Sequence, residues 1–377
     1  MEWLRDKFES SRGGSAHNVL SMEGLRGFAV FLVFLVHYVT LVGPWLDASP
    51  VFVSFVNSVR VIGNSGVDLF FVLSGYLIYG SLIARPQPFL RFMSRRVERI
   101  YPAFVAVFAI YVAMSFALPS ESKIPGQPLV AAGYLVANFL LLPGLFPIEP
   151  LITVAWSLSY EMFYYLTIPL VIVLFRLRGR GPAWRAAFFA CIAVALVSYC
   201  AARGGHVRLV MFIAGILLHE ALRSTAVPAP PSAAALLTLV VGLLGMLLPF
   251  SGSAAFALKT TGLFVAFFVL CFTCFRLPVA WLPRVFTWTP LRWLGNMSYS
   301  YYLLHGLTLK AEFLALSHVL PARGYGAWFF WVLLPAAFVL TLLPTAGLFL
   351  AIERPLSLAP RRGRRGAAAA PVGNASN

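Results

Sequence analysis

The chain has 377 residues, of which 60% are hydrophobic and only 11% charged, with a mean hydropathy of +0.84 and a formal net charge of +16. Soluble domains carry about 25% charged residues, so this composition excludes a soluble enzyme, a nucleic-acid module and a disordered protein. The positive excess fits a membrane protein with arginine-rich cytoplasmic loops lying against anionic lipid. Apolar runs suited to a ~30 Å hydrocarbon core occur at 24–43, 61–84, 100–118, 151–175, 185–202, 206–222, 232–250, 257–276, 292–317 and 326–352. The expectation is an all-α polytopic membrane protein with about ten transmembrane helices.

An eleventh run, 129–146, is shorter and contains Asn138, Pro143 and Gly144. Charge counting decides how it is used. With the N-terminus in the cytoplasm and 129–146 not crossing, the inside segments hold 22 Lys+Arg and the outside 7. Counting 129–146 as a span gives 14 inside and 15 outside. Only the first arrangement obeys the positive-inside rule. Ten spans with both termini cytoplasmic are therefore expected, with 129–146 re-entrant or interfacial, where irregular backbone is tolerable if protein buries it. The division expected is a cytoplasmic N-terminal segment (1–20), a transmembrane domain (21–356) and a disordered basic cytoplasmic tail (357–377). Residues 1–20 are polar and mixed in charge, which does not read as a cleavable signal peptide.

Ionisable residues inside spans are costly and are functional candidates by default. The first span, LRGFAVFLVFLVHY, carries Arg26 and His37. Eleven residues advance a helix by about three turns and roughly 16 Å, so both project from one face, Arg26 at the cytoplasmic mouth and His37 deeper. A snorkelling anchor and an interhelical histidine are the simpler readings of the two. The second span, GVDLFFVLSGYLI, places Asp68 in the outer part of the membrane, where it needs a His or Arg partner, and carries Ser74; its small residues Gly66 and Gly75 suit close helix packing. FMSRRVERIYP follows, with Arg95, Arg96 and Arg99 able to form one cationic face beside the membrane. Guanidinium forks fit phosphate oxygens; plain positive-inside bias is the competing reading.

The fourth span, WSLSYEMFYY, holds Glu161 among serines and tyrosines and is expected to face a cavity. The C-x-x-C of Cys271 and Cys274 has no second Cys or His pair near it in sequence and reads as buried packing rather than a metal site. The ninth span, LGNMSYSYYLLH, carries Asn296, Tyr302 and His305, with Tyr302 and His305 on one face. His206, His219 and His318 fall at span ends or in loops and read as interfacial.

These five strings, in this order, resemble the acyltransferase-3 family of integral membrane acyltransferases, over about residues 20–355. The resemblance implies an O-acetyltransferase of about ten spans in a bacterial cytoplasmic (inner) membrane, active in O-acetylation or polysaccharide modification. Its hallmark Arg-x10-His pair falls on Arg26 and His37, its arginine segment on Arg95, Arg96 and Arg99, and its acidic position on Glu161. It implies acetyl-CoA as acyl donor and a carbohydrate or other hydroxyl acceptor. No metal and no nucleic acid are expected. No fused extracytoplasmic hydrolase-like domain is seen, so direct transfer and transfer through a separate extracytoplasmic transferase both stay open.

On this reading Arg95, Arg96, Arg99 and Arg26 bind the donor, and His37 is the general base or a transient acyl carrier. Asp68 or Glu161 is expected to orient His37. Ser74, Tyr302 and Asn296 are candidate oxyanion donors, with His305 a further orienting group. The alternative is a proton-coupled transporter or flippase in which His37, Asp68, Glu161 and His305 form a proton relay. The acceptor, the acyl chain and the oligomeric state are not legible.

Overall fold

The computed structural model describes residues 7–9, 19–47 and 49–358. Most of the expected N-terminal segment and nearly all of the basic tail fall outside the described residues. Lipid offers backbone N–H and C=O groups no partners, so apolar runs must satisfy them within helices. The described chain accordingly forms helices and, apart from isolated bridges, no strands: α1 (Val19–Val42), α2 (Pro50–Ala84), α3 (Phe89–Ala117), α4 (Pro128–Phe139), α5 (Trp156–Leu174), α6 (Pro182–Arg203) and α7 (Val210–Arg223). Then come α8 (Ser232–Gly245), α9 (Ser253–Arg276), α10 (Trp281–Val285), α11 (Thr289–Asn296), α12 (Ser298–Val319), α13 (Ala327–Leu348) and a π-helical stretch, Phe349–Leu358. Among the described residues seven helices are long and apolar enough to cross a membrane. The chain is a multi-pass membrane protein.

Three expectations change in detail. The run 292–317 is not one helix: it breaks at Met297 between α11 and α12. Just before the break the helix is pressed against α1: a Cβ on Gly295 would lie 1.7 Å from the Glu23 carbonyl oxygen. The third span begins earlier than expected, so Arg95, Arg96 and Arg99 ride on the first turns of α3 itself. The last span runs past Ile352 into the π-helical stretch and takes Glu353 with it.

The segment 129–146 contains only a 12-residue helix, α4, about 18 Å long against a ~30 Å core. Beyond it the chain folds back on buried polar anchors. Asn138 accepts from the Leu151 N–H at 2.7 Å and donates to the Glu149 carbonyl at 3.3 Å. Ser159 donates to the Pro143 carbonyl. Gly144, at φ +95, is pressed against the Trp156 carbonyl, a conformation and space that admit no side chain.

Helix α2 packs most extensively against α1 and α7. Small residues make this possible. A Cβ on Gly75 would meet the Phe212 carbonyl oxygen at 2.1 Å, and one on Gly215 the Val72 oxygen at 2.0 Å. Across the other face, a Cβ on Gly66 would meet the Ala29 oxygen at 2.5 Å. These small residues are packing positions: α2 is clamped between its neighbours, and its remaining face turns toward α5 and the cavities.

Candidate active site

Two cavities lie along α1. The first, of about 440 Å³, is lined by Arg26 of α1, Ser74 of α2, Arg95, Arg96 and Arg99 of α3, Glu161 of α5, and Ser298 and Tyr302 of α12. Every guanidinium that sequence reasoning selected therefore borders one space. The side chains are held individually. Arg26 Nη2 donates to Ser298 Oγ at 2.9 Å. Arg96 lies over the Phe92 and Tyr165 rings, 5.0 and 5.4 Å from their centroids, a cation–π contact with each of two rings that meet edge to face. Arg99 Nη1 is 3.4 Å from Glu353 Oε1. Arg95 reaches Gln87 Oε1 at 3.4 Å on the exposed rim.

The carboxylates are fewer than the guanidiniums. Glu161 accepts hydrogen bonds from Ser74 Oγ and, at 3.3 Å, from Tyr165 Oη. Four arginines thus meet one lining carboxylate, Glu161, and one behind the wall, Glu353. An anionic ligand restores that balance.

The second cavity, of about 520 Å³, is bordered by His37, Trp45, Tyr111, Glu121, Lys123 and Lys310 among mostly apolar neighbours. Lys310 donates to Glu121, and Lys123 lies 3.1 Å from Glu149. The Lys310 ammonium, by hydrogen bond and charge, holds the Glu121 carboxyl below its ordinary range. One layer separates the cavities. Tyr302, which lines the first, donates through Oη to the carbonyl of Val154, which lines the second, at 3.0 Å, and pairs with Ser157 Oγ at 2.8 Å.

His37 faces another histidine. Its ring centroid is 4.9 Å from that of His305, nearly perpendicular at 76°. His305 is fully buried. Its Nδ1 bonds the Tyr301 carbonyl at 2.8 Å, and its ring stacks on Tyr301.

The remaining predicted residues separate. Asp68 is buried and its charged neighbour is Arg208, with Nε 3.8 Å away. Arg208 in turn lies over Trp156, 5.4 Å from its centroid. Glu161 is bound by Ser74 and Tyr165. The contacts thus give both carboxylates partners other than His37. Ser74 is engaged by Glu161, and Asn296 Nδ2 donates to the Phe8 carbonyl at 2.9 Å, away from the cavity lining. His206 is tied to Tyr160 Oη at 2.7 Å, and His219 packs on Tyr76 and Tyr79. Cys271 and Cys274 are buried and unpaired.

Two features escaped sequence reasoning. Glu353 is wholly buried and accepts from the Ser300 N–H at 3.0 Å and from Ser300 Oγ at 2.6 Å, besides facing Arg99. The rule that flags carboxylates within spans would have found it, but the last apolar run was ended one residue too early. Arg185 and Glu220 form a buried two-pronged ion pair at 2.7 Å, joined by Tyr79 Oη at 2.5 Å. It ties α2, α6 and α7 together, and its signal was an arginine and a glutamate at the ends of two apolar runs.

These features define a polytopic helical membrane protein built around an arginine-lined chamber beside a histidine. Residues 19–350 match the acyltransferase-3 family, described as an acyltransferase domain, and the chain belongs to that family. It is 35% identical over 165 residues to the O-acetyltransferase OatA of Staphylococcus aureus (strain NCTC 8325 / PS 47), covering 40% of this chain and 24% of that protein. It is 33% identical over 156 residues to the acyltransferase MdmB of Streptomyces mycarofaciens, covering 40% of this chain and 38% of that one. The chain therefore aligns with well under half the length of either relative. No solved structure matches it.

Proposed function

We propose that the protein is a membrane O-acyltransferase that takes an acyl group, acetyl in the first instance, from cytoplasmic acyl-CoA and places it on a hydroxyl of a carbohydrate acceptor. The observation that carries this is the convergence of Arg26, Arg95, Arg96 and Arg99 on one cavity next to the His37 cavity. CoA carries several phosphate charges, and arginine clusters bind phosphate through paired N–H groups. Its pantetheine arm is long and thin, suited to the roughly 16 Å between Arg26 and His37. On the charge-derived topology the arginine cavity faces the cytoplasm, and the family resemblance implies a bacterial inner membrane.

His37 serves as general base in this reading. A ring nitrogen takes the proton of the acceptor hydroxyl as its oxygen attacks the thioester carbon. The C–S bond then breaks, and the same proton goes to the departing thiolate. The products are an ester and free CoA. Tyr302 lines the arginine cavity and would turn its hydroxyl from the Val154 carbonyl to donate to the thioester oxygen. The second cavity holds the acceptor. We take a surface or lipid-linked glycan as the acceptor, and acceptance directly or through an extracytoplasmic transferase are both compatible with this chemistry.

The test is release of free CoA from acetyl-CoA by the full chain in nanodiscs, with wild type, His37→Ala and Arg95→Ala side by side. Loss of release in His37→Ala with donor binding intact, and a raised acetyl-CoA requirement in Arg95→Ala, are expected. Wild-type turnover in His37→Ala would overturn the assignment of the base.

A further inference from the structure

A general base with two ring nitrogens works only if the second nitrogen is held, because that contact fixes the tautomer and the ring plane. In most such sites a carboxylate does this. Here Asp68 lies against Arg208, and Glu161 is bound by Ser74 and Tyr165. Among the described residues no carboxylate forms an ion pair with His37; the group set against it is the ring of His305, 4.9 Å away between centroids.

His305 has a defined protonation pattern. A carbonyl oxygen can only accept, so the 2.8 Å contact between Nδ1 and the Tyr301 carbonyl places the hydrogen on Nδ1. In the neutral ring Nε2 is then a bare acceptor. That atom is buried and has no hydrogen-bond partner among the described residues. A buried acceptor left unmatched is expensive. Ring centres 4.9 Å apart allow nitrogen-to-nitrogen contact near the ordinary ~2.9 Å after a small turn about χ2, and catalytic hydrogen bonds are commonly long before substrate arrives.

We propose, resting on the assignment of His37 as base, that His305 is its positioning residue: Nε2 of His305 accepts the N–H of one His37 ring nitrogen and so leaves the other bare toward the acceptor hydroxyl. The pair replaces the carboxylate–histidine arrangement with a neutral one. Tyr301 is the third member. Its carbonyl fixes the His305 tautomer, and its own hydroxyl is anchored to Thr341 Oγ1 at 2.8 Å. Proton flow stays balanced. The hydroxyl proton moves to the bare nitrogen of His37 and leaves with the thiolate of CoA. The N–H shared with His305 stays on His37, and the cation formed in between is stabilised by the Nε2 lone pair. A neutral partner suits this depth in the membrane, since it adds no second charge to be desolvated.

The experiment uses the full chain in nanodiscs, labelled with ¹⁵N-histidine. A scalar coupling across an N–H···N hydrogen bond between His37 and His305 is expected, lost in His305→Leu. If the two histidines show no such coupling with acetyl-CoA bound, the proposal is overturned. Turnover supplies the second readout, with acetyl-CoA as donor and water and glycerol as hydroxyl acceptors. His305→Leu is expected to lose at least 100-fold in kcat with the KM for acetyl-CoA unchanged. His305→Gln, whose side-chain carbonyl can accept the same N–H, is expected to recover at least 10-fold of that loss. Equal loss in both variants marks mere packing and overturns the proposal. His37→Ala separates the two assignments. Turnover retained there defeats the base, whereas turnover lost there but kept in His305→Leu defeats only the positioning role.

Discussion

The Glu353 carboxylate, without exposed surface, faces the Arg99 guanidinium at 3.4 Å while its other oxygen holds the N–H and hydroxyl of Ser300. One buried acid thus fixes both a cation of the arginine cavity and the first turn of α12. Removing one partner of a buried pair leaves the other uncompensated. Glu353→Ala is expected to destabilise the protein by roughly 3 kcal/mol, and Ser300→Ala by about 1 kcal/mol. Glu353→Ala should also raise the KM for acetyl-CoA, because Arg99 is no longer aimed. Thermal unfolding in detergent and donor titrations measure the two effects.

Arg96 acts as a plane as well as a charge, lying over the Phe92 and Tyr165 rings. A lysine keeps the charge but neither the stack nor the fork. Arg96→Lys is expected to raise the KM for acetyl-CoA about tenfold, equivalent to about 1.4 kcal/mol, whereas Arg95→Lys, on the exposed rim, should change it less. Steady-state kinetics on both variants decide this.

Tyr302 closes the layer between the cavities through Val154 and Ser157. Tyr302→Phe keeps the ring and removes both hydrogen bonds, so transfer should fall while the partition persists. Tyr302→Ala should open it, and acetyl-CoA should then be lost to hydrolysis in preference to transfer. The ratio of acetate to acetylated glycerol reports the difference.

The contact of Gly75 with the Phe212 backbone leaves no room for a methyl group. Gly75→Ala is expected to cost about 3 kcal/mol or more by forcing α2 and α7 apart. Gly133→Ala, where nothing lies within 4 Å, should leave the folded yield unchanged. Yield of monodisperse protein is the comparison.

The Lys310–Glu121 pair ties the loop before α4 to α12 at the second cavity. Because Lys310 lowers the Glu121 pKa, the tether is complete above the ordinary carboxyl pKa and is lost as pH falls through the lowered one. Both side chains are exposed, so salt should weaken it as well. Hydrogen exchange in residues 118–127 should rise below about pH 4 and in high salt, and be raised at neutral pH in Lys310→Ala.

Much of this was legible in the chain itself. Apolar runs and the helical spacing of Arg26 and His37 required only the geometry of one helix. The short segment at 129–146 was exposed by its arginine bookkeeping and its Asn, Pro and Gly. Charge counting put Arg95, Arg96 and Arg99 on the same side of the membrane as Arg26, and the family resemblance implied their common role. What was not legible depends on which helix neighbours which. Asp68 meets Arg208 because α2 packs on α7, and His305 reaches His37 because α12 packs on α1. Spacing within a run carries no information about such pairings. The approach of the α1 backbone to Gly295, beside the break at Met297, is another such pairing.

On the charge-derived topology the arginine cavity would face the cytoplasm and the His37 cavity the other side, with the hydrogen-bonded group of Tyr302, Ser157 and Val154 in the wall between them. Water filling both cavities would carry the potential of each face inward, and the membrane voltage would then fall across that wall instead of across ~30 Å of hydrocarbon. Any charge pushed through it works against nearly the whole field in one step, about 2.3 kcal/mol for each 100 mV. On the proposed function an uncharged acetyl group would pass free of that cost, while the phosphates of its donor would be held back. Such a partition would select by electrical charge as well as by size.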